Sequence, residues 1–185
     1  ITASDGTASV TDTFTIAVAN TNDAPTITST AVLTATEDSA YTYMVTASDD
    51  DGDTLTMTGT TVPSWATFTA STGVLAGTPL NADVGDNSVV ITVSDGTASV
   101  TDSFTIAVAN ANDAPTITST AVTAVDEDAA YSYTVTTNDV DSGDTVTLTG
   151  TTVPSWLTFT ASTGVLAATP TESDVGTHDV VITAS

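Results

Sequence analysis

The sequence predicts an all-β chain made of tandem antiparallel β-sandwiches. Three observations predict it. The chain repeats itself: residues 5–19 (DGTASVTDTFTIAVA) recur at 95–109 with one change, Thr13 against Ser103. Residues 58–79 recur at 149–170 with two changes, so the period is 90 or 91 residues. Apolar residues alternate with threonine at period two, and turn signals recur at short spacing with almost no helical pattern between them.

Each element of the repeat follows from its residues. Strand A is expected at about 26–34, after the turn Asn22-Asp23-Ala24-Pro25. Strand B (40–47) puts Tyr41, Tyr43 and Val45 on one face, and strand C (54–60) puts Leu55 and Met57 on one face. Strands D (65–69) and E (74–77) flank Thr72-Gly73. Strand F (88–94) joins strand G (97–108) through Asp95-Gly96, a tight hairpin signal. In the copy at the start of the chain, Thr13–Val18 alternates in the same way, with Phe14, Ile16 and Val18 on one face. Such alternation means one buried and one wet face, and threonine suits the wet one through its β-branch. About seven short strands in each period describe an immunoglobulin-like sandwich.

The repeats are cut out of phase. Ile1-Thr2-Ala3-Ser4 matches Ile91-Thr92-Val93-Ser94 and Ile182-Thr183-Ala184-Ser185. Residues 1–19 therefore read as the last strands of a preceding repeat, 20–109 as a complete repeat, and 110–185 as a repeat lacking its last strand. The copies differ in length at one loop. It reads Asp49-Asp50-Asp51-Gly52-Asp53 in the first and Asp139-Val140-Asp141-Ser142-Gly143-Asp144 in the second. The chain reads as an excerpt of something longer.

Charge excludes several functions. Lys plus Arg is 0 against 23 Asp plus Glu, a formal charge of −23, and there is no cysteine. Nucleic-acid binding needs cations to neutralise phosphates. Schiff-base chemistry needs lysine, and thiolate metal sites and disulfides need cysteine. Anionic membranes are repelled, and no apolar stretch is long enough to insert into one. A chain that is 40% hydrophobic is not disordered by composition, so it must fold against its own repulsion. Bound cation is the simplest remedy.

A hard dication takes six to eight oxygens from carboxylates, amide carbonyls and backbone. Asp and Asn here concentrate in loops. Strand alternation places the A–B and E–F loops at one pole of a repeat and the B–C and F–G loops at the other. The junction between repeats then gathers Glu37, Asp38 and Asp83, the linker residues Asn110, Asn112 and Asp113, and Asp139, Asp141 and Asp144. The equivalent upper half-site of the first repeat is Asn20, Asn22, Asp23, Asp49, Asp51, Asp53 and Asp95. Taken singly, Asp5, Asp12, Asp86, Asp95, Asp102, Asp126 and Asp179 read as ordinary turn formers. The Asp-rich loops read as calcium ligands, because four carboxylates in five residues without a cation repel one another.

An ordered series of motifs carries a family resemblance. It runs Asn20-x-Asn22-Asp23-Ala24-Pro25, Glu37-Asp38, Tyr41-x-Tyr43, Asp49-x-Asp51-Gly52-Asp53, Pro63-Ser64-Trp65, Gly73-x-Leu75-x-Gly77-Thr78-Pro79 and Asp83-Val84-Gly85, much of it repeated in the second copy. The chain thus resembles bacterial cadherin-like tandem repeats (dystroglycan-type cadherin and He_PIG immunoglobulin-like) of large extracellular adhesins. The resemblance implies extracellular or cell-surface location, calcium between repeats, and structural or adhesive work with neighbouring repeats or copies of itself. In cadherins the corresponding pieces, a Glu from the first strand region, an Asn/Asp linker and an Asp-x-Asp loop, are calcium ligands. The carry-over is strongest for Asn112, Asp113, Asp139 and Asp141. The cadherin Asp-Arg-Glu motif is missing, and Asp83 stands in by position.

Two other readings accompany the structural one. One is a calcium-dependent polysaccharide-binding module, using calcium or an exposed aromatic such as Trp65 or Trp156. The other is a filament subunit in which residues 5–19 complete residues 110–185 of a neighbour by strand donation. Trp65 and Trp156 otherwise read as sandwich-core residues beside phenylalanine. His178 is the single histidine and aligns with Asn87, so no Ser-His-Asp arrangement is supported in both copies. Carboxylates in the turns of a duplicated small repeat do not make a glycosidase site. The chain is expected to be no enzyme.

Overall fold

In the computed structural model all 185 residues are described. The strands, in chain order, are β1 (Thr2–Ser4), β2 (Ser9–Thr11), β3 (Thr26–Ile27), β4 (Thr34–Thr36), β5 (Tyr41–Met44), β6 (Ala47–Ser48), β7 (Thr56–Thr61), β8 (Ala66–Thr69), β9 (Val74–Gly77), β10 (Gly85–Ser94) and β11 (Ser99–Ala109). They continue as β12 (Thr116–Ile117), β13 (Tyr131–Thr134), β14 (Thr137–Asn138), β15 (Leu148–Thr152), β16 (Thr158–Thr160), β17 (Val165–Ala168) and β18 (Val181–Ala184). The only helical pieces are two three-residue 3-10 turns, Asn81–Asp83 and Glu172–Asp174. Two compact units result. One gathers Ile1–Thr34, Tyr41–Gly77 and Asp86–Ala107, the other Ala35–Ala40, Thr78–Gly85 and Val108–Ser185.

In the first unit, β5, β9 and β8 form an antiparallel sheet, with Tyr43 opposite Leu75 and Leu75 opposite Phe68. The facing sheet has the order β4-β11-β10-β7. Period-two burial supplies the core: Tyr41, Tyr43, Leu75, Val89, Ile91, Val93 and Ile106 are all buried. Phe104 meets Tyr43 edge-on with centroids 5.5 Å apart. Burial, with a smaller contribution from Tyr43, pushes the Tyr41 hydroxyl up to about 12. Trp65 is half-buried, edge-on to Tyr41, and its indole N–H donates to Asn87 Oδ1 at 3.0 Å. On the wet faces, hydroxyls pair across strands, Thr28 with Thr46 at 2.8 Å and Thr60 with Thr92 at 3.2 Å. With no Lys or Arg, such pairs replace the cross-strand ion pairs other sheets use.

Strand A, expected as one piece, is two. β3 pairs with β6, and β4 joins the sheet of β11. The break falls at Ser29, whose Oγ accepts the Thr46 N–H at 3.0 Å and lies 2.9 Å from the Tyr43 hydroxyl. A side chain there takes the ladder's place, and the strand changes sheets. Strand B breaks opposite it, between β5 and β6. Val45 N–H donates instead to the Gly73 carbonyl at 2.8 Å. Gly73 has φ +69, and a Cβ there would lie 2.5 Å from Val45 O, so only glycine fits.

The second unit repeats this plan with β13-β17-β16, β15-β18 and β12-β14 around Val135, Leu157 and Leu166. Its sheet of β15 and β18 has only two strands. Val89, 1% exposed, has Val180 as its counterpart, 43% exposed. At the start of the chain, β1 and β2 form a hairpin, and Phe14, Ile16 and Val18 are exposed rather than packed. Their alternation suits a buried strand, but Thr13–Ala19 lies in no sheet.

Candidate metal centre

Three segments of the second unit converge on a set of carboxylates. The loop after β4 carries Glu37. Its N–H donates to Ala109 O at 3.0 Å, and the next residue, Asp38, adopts φ 57 with its N–H on Pro79 O at 2.9 Å. That left-handed turn, tolerated by Asp, sends the chain back towards β5. The linker contributes the Ala111 N–H, which donates to Glu37 Oε1 at 2.7 Å. It also contributes Asp113, whose N–H donates to Asp141 Oδ2 at 2.6 Å. Asn112 stiffens the linker by donating to Asp113 O at 2.7 Å. The Asp139–Asp144 loop is closed by the Asp141 N–H on Asp139 Oδ1 at 3.0 Å and the Asp144 N–H on Asp141 O at 3.3 Å.

Glu37, Asp113 and Asp141 each bring a carboxylate oxygen within 4.8 Å of the others. Glu37 is 1% exposed and Asp141 4%. Glu37 Oε2 is buried with no hydrogen-bond partner. Every donor named around the cluster is a neutral N–H, and the chain has no Lys or Arg to approach it. At 4.8 Å, two carboxylates at an effective dielectric of ~20 repel by about 3 kcal/mol. Buried charge of one sign without a counter-ion costs heavily. An all-oxygen set with one oxygen unspent fits a hard dication and does not suit soft metals.

The first unit holds a parallel arrangement. Asp49, Asp51 and Asp53 bring carboxylate oxygens within 4.8 Å of one another, and Asp49 Oδ2 is buried without a partner. Asp49 Oδ1 accepts the Asp51 and Asp53 N–H groups at 2.9 and 3.3 Å. Asp51 accepts from Asn20 Nδ2 at 2.8 Å and from the Asp23 N–H at 2.6 Å. Asn22 donates to Asp23 O at 2.8 Å and to Asp95 Oδ2 at 3.0 Å. Asp95 Oδ1 closes the β10–β11 turn by accepting the Thr97 and Ala98 N–H groups, both at 2.6 Å. These bonds, the Ala98 N–H foremost and Asn22 next, hold its carboxyl below the usual aspartate range.

Of the residues expected at the junction, Glu37, Asp113 and Asp141 meet, with Asn112 and Asp139 bracing them. Asp38, Asp83 and Asp144 lie outside the three-carboxylate cluster, and Asn110 takes no part in the bonds above. Asp83 Oδ2 accepts the Leu80 N–H at 3.0 Å and so closes the Asn81–Asp83 turn. Sequence reasoning passed over Asn81, whose Nδ2 donates to Asp141 Oδ1 at 3.1 Å. Its one signal was its place two residues before Asp83.

The model of a family described as "Putative Ig domain" matches residues 24–109 and 114–185. The structure of Drosophila N-cadherin EC1-4 is similar at 18% identity and a TM-score of 0.58, over 88% of this chain and 45% of that one. Human Protocadherin-24 EC1-2 is similar at 19% identity and a TM-score of 0.51, over 89% and 94%. These two likenesses are of fold. An endo-fucoidan hydrolase from glycoside hydrolase family 107 is 31% identical, over 88% of this chain and 26% of that one, with a TM-score of 0.44. The chain thus spans about a quarter of that hydrolase. No curated protein matches the sequence. No helix is long and apolar enough to cross a membrane.

Proposed function

The chain belongs to the family described as "Putative Ig domain", and on that premise we propose that it is a structural and adhesive segment of a long extracellular surface protein or fibre, rigidified by calcium between successive repeats. One observation carries the proposal: Glu37, whose Oε2 is buried and unpartnered, brings a carboxylate oxygen within 4.8 Å of those of two further carboxylates, in a protein without a lysine or arginine.

Glu37, Asp113 and Asp141 would hold the ion, with Asp139 and Asn112 bracing them. The Asp49, Asp51 and Asp53 cluster is the corresponding place in the first repeat. Bound calcium supplies positive charge and coordination bonds. The protein supplies three segments that repel without it: the loop after β4 from the repeat at 20–109, the linker, and a loop of the repeat at 110–185. Tying them together stiffens the connection between the two sequence repeats. Extracellular calcium modules have Kd of roughly 10⁻⁴–10⁻³ M. A site held at about ten times its Kd stabilises the folded state by ~1.4 kcal/mol. The role is mechanical, and the carboxylates act as ligands instead of as acids or bases.

Calcium titration of chelator-stripped protein tests this, followed by calorimetry and small-angle scattering. Expected are binding in the 0.1–1 mM range, on the order set by extracellular modules, a higher melting temperature and a longer maximum dimension. Melting and scattering that do not change between EDTA and millimolar calcium refute the proposal.

A further inference from the structure

Asp141, 4% exposed in the carboxylate cluster, has both of its oxygens held. Oδ2 accepts the Asp113 N–H at 2.6 Å, and Oδ1 accepts Asn81 Nδ2 at 3.1 Å. A carboxylate offers only acceptors, so the asparagine must present its NH₂, and each oxygen keeps a second lone pair for a metal. The two donors come from different parts of the chain. Asp113 lies in the linker, whereas Asn81 belongs to the repeat at 20–109 and reaches a loop of the repeat at 110–185. Asp51, the counterpart of Asp141, is likewise held by one side-chain amide and one backbone N–H, from Asn20 at 2.8 Å and Asp23 at 2.6 Å.

Asn81 stands on a turn that forms without any help from its side chain. The Asp83 N–H donates to Leu80 O at 2.8 Å, and the Leu80 N–H donates to Asp83 Oδ2 at 3.0 Å. Just before the turn, Pro79 O accepts the Asp38 N–H at 2.9 Å, which ties the turn to the loop carrying Glu37. The second repeat builds the same turn at Glu172–Asp174, with the Asp128 N–H on Pro170 O at 2.8 Å, and has Glu172 in the place of Asn81. The turn therefore does not require asparagine. What Asn81 adds is a donor, where a glutamate would bring one more acceptor to a cluster that already has an unpartnered oxygen on Glu37.

Resting on the calcium reading and going one step beyond it, we infer that Asn81 sets the ion preference of this cluster: by holding Asp141 from the preceding repeat, it selects calcium over magnesium. Calcium takes oxygens at roughly 2.3–2.6 Å in a variable arrangement, whereas magnesium demands them at about 2.0–2.1 Å in a near-ideal octahedron. A carboxylate tethered at both oxygens cannot draw inward to the shorter distance without breaking a tether. Release from Asn81 frees one oxygen, so Asp141 can follow the smaller ion and meets the larger one in a less prepared geometry. Asn81 is thus a positioning residue, acting on the ion through Asp141.

Calorimetric titration of the chelator-stripped 185-residue chain with calcium chloride and, separately, with magnesium chloride tests this, on the parent and on Asn81→Ala. Expected is a preference of the parent for calcium of about tenfold or more. Asn81→Ala weakens calcium binding by about 10-fold, as loss of a hydrogen bond to a ligating group does, and leaves magnesium binding within about twofold. Asn81→Ser, whose hydroxyl ends one bond short of Asp141, should match Asn81→Ala. The Asp49, Asp51 and Asp53 cluster does not use Asn81 and keeps its affinities. Melting in EDTA confirms that both variants fold, as the turn at Glu172 leads one to expect. Calcium and magnesium affinities that fall together would mean a merely structural role and overturn the inference, as would a calcium preference that survives both substitutions or one that the parent lacks. A parent that binds neither ion overturns the calcium reading and this inference with it, whereas unaltered calcium binding by the variants overturns this inference alone.

Discussion

Replacing Glu37 by Gln separates a calcium ligand from an ordinary buried acceptor, because the two roles move stability in opposite directions. Glutamine keeps a carbonyl oxygen for the Ala111 N–H, which now rests on Oε1 at 2.7 Å. It puts a neutral NH₂ where Oε2 is unpartnered, beside the Asp113 and Asp141 carboxylates of the same cluster. Without metal, the substitution removes two like-charge contacts at up to 4.8 Å, each about 3 kcal/mol at an effective dielectric of ~20 and less where water penetrates. Relief of about 1–3 kcal/mol follows, and at roughly 4–8 °C per kcal/mol for a unit the size of one repeat the melting temperature in EDTA rises by at least ~4 °C. In calcium that advantage shrinks by about 1 kcal/mol. One anionic ligand is gone, and a tenfold weaker site at the same calcium concentration stabilises by ~0.4 kcal/mol instead of ~1.4. Differential scanning calorimetry of both proteins, each in EDTA and in millimolar calcium, reads all four numbers. A variant that melts lower than the parent in EDTA, or that keeps the parent's full calcium increment, refutes the reasoning.

The remaining predictions concern the turns that position the clusters. Gly73→Ala forces a Cβ to within 2.5 Å of the Val45 carbonyl at a left-handed φ, so urea denaturation should show a loss of about 1–3 kcal/mol; a loss below half of that would mean the turn relaxes freely. The Asp95 carboxyl is held below its ordinary value of 3.8 by the Ala98 N–H, then Asn22 and the Thr97 N–H. Its contribution to stability is therefore complete above pH 3.8 and disappears as pH falls through the lower folded-state value. Between pH 5 and 2, the melting temperature of the parent should fall more steeply than that of Asp95→Asn, and parallel curves would remove this turn from the acid response.

Much of the site was legible in the sequence because it is made of loops. The Asp-x-Asp spacing of Asp139 and Asp141 and the Asn112-Asp113 linker are local patterns, and strand alternation alone places the loop after β4 at the same pole as the linker. Asn81 was not legible. An amide in a 3-10 turn acquires its role only when the turn lies against Asp141, and no local pattern announces that. The unspent oxygen on Glu37 was equally invisible, since partnering is a property of surroundings and not of residue type.

Period-two alternation, the repeat of 90 or 91 residues and the absence of Lys and Arg determined by themselves a tandem β-sandwich that must manage negative charge. Which alternating segments are buried was decided in three dimensions. Phe14, Ile16 and Val18 carry the same pattern as Phe104, Ile106 and Val108, yet one set is exposed and the other packs against a facing sheet. Alternation says that a strand has an apolar face, whereas burial requires a second surface to cover it, and only the path of the whole chain determines where such a surface lies.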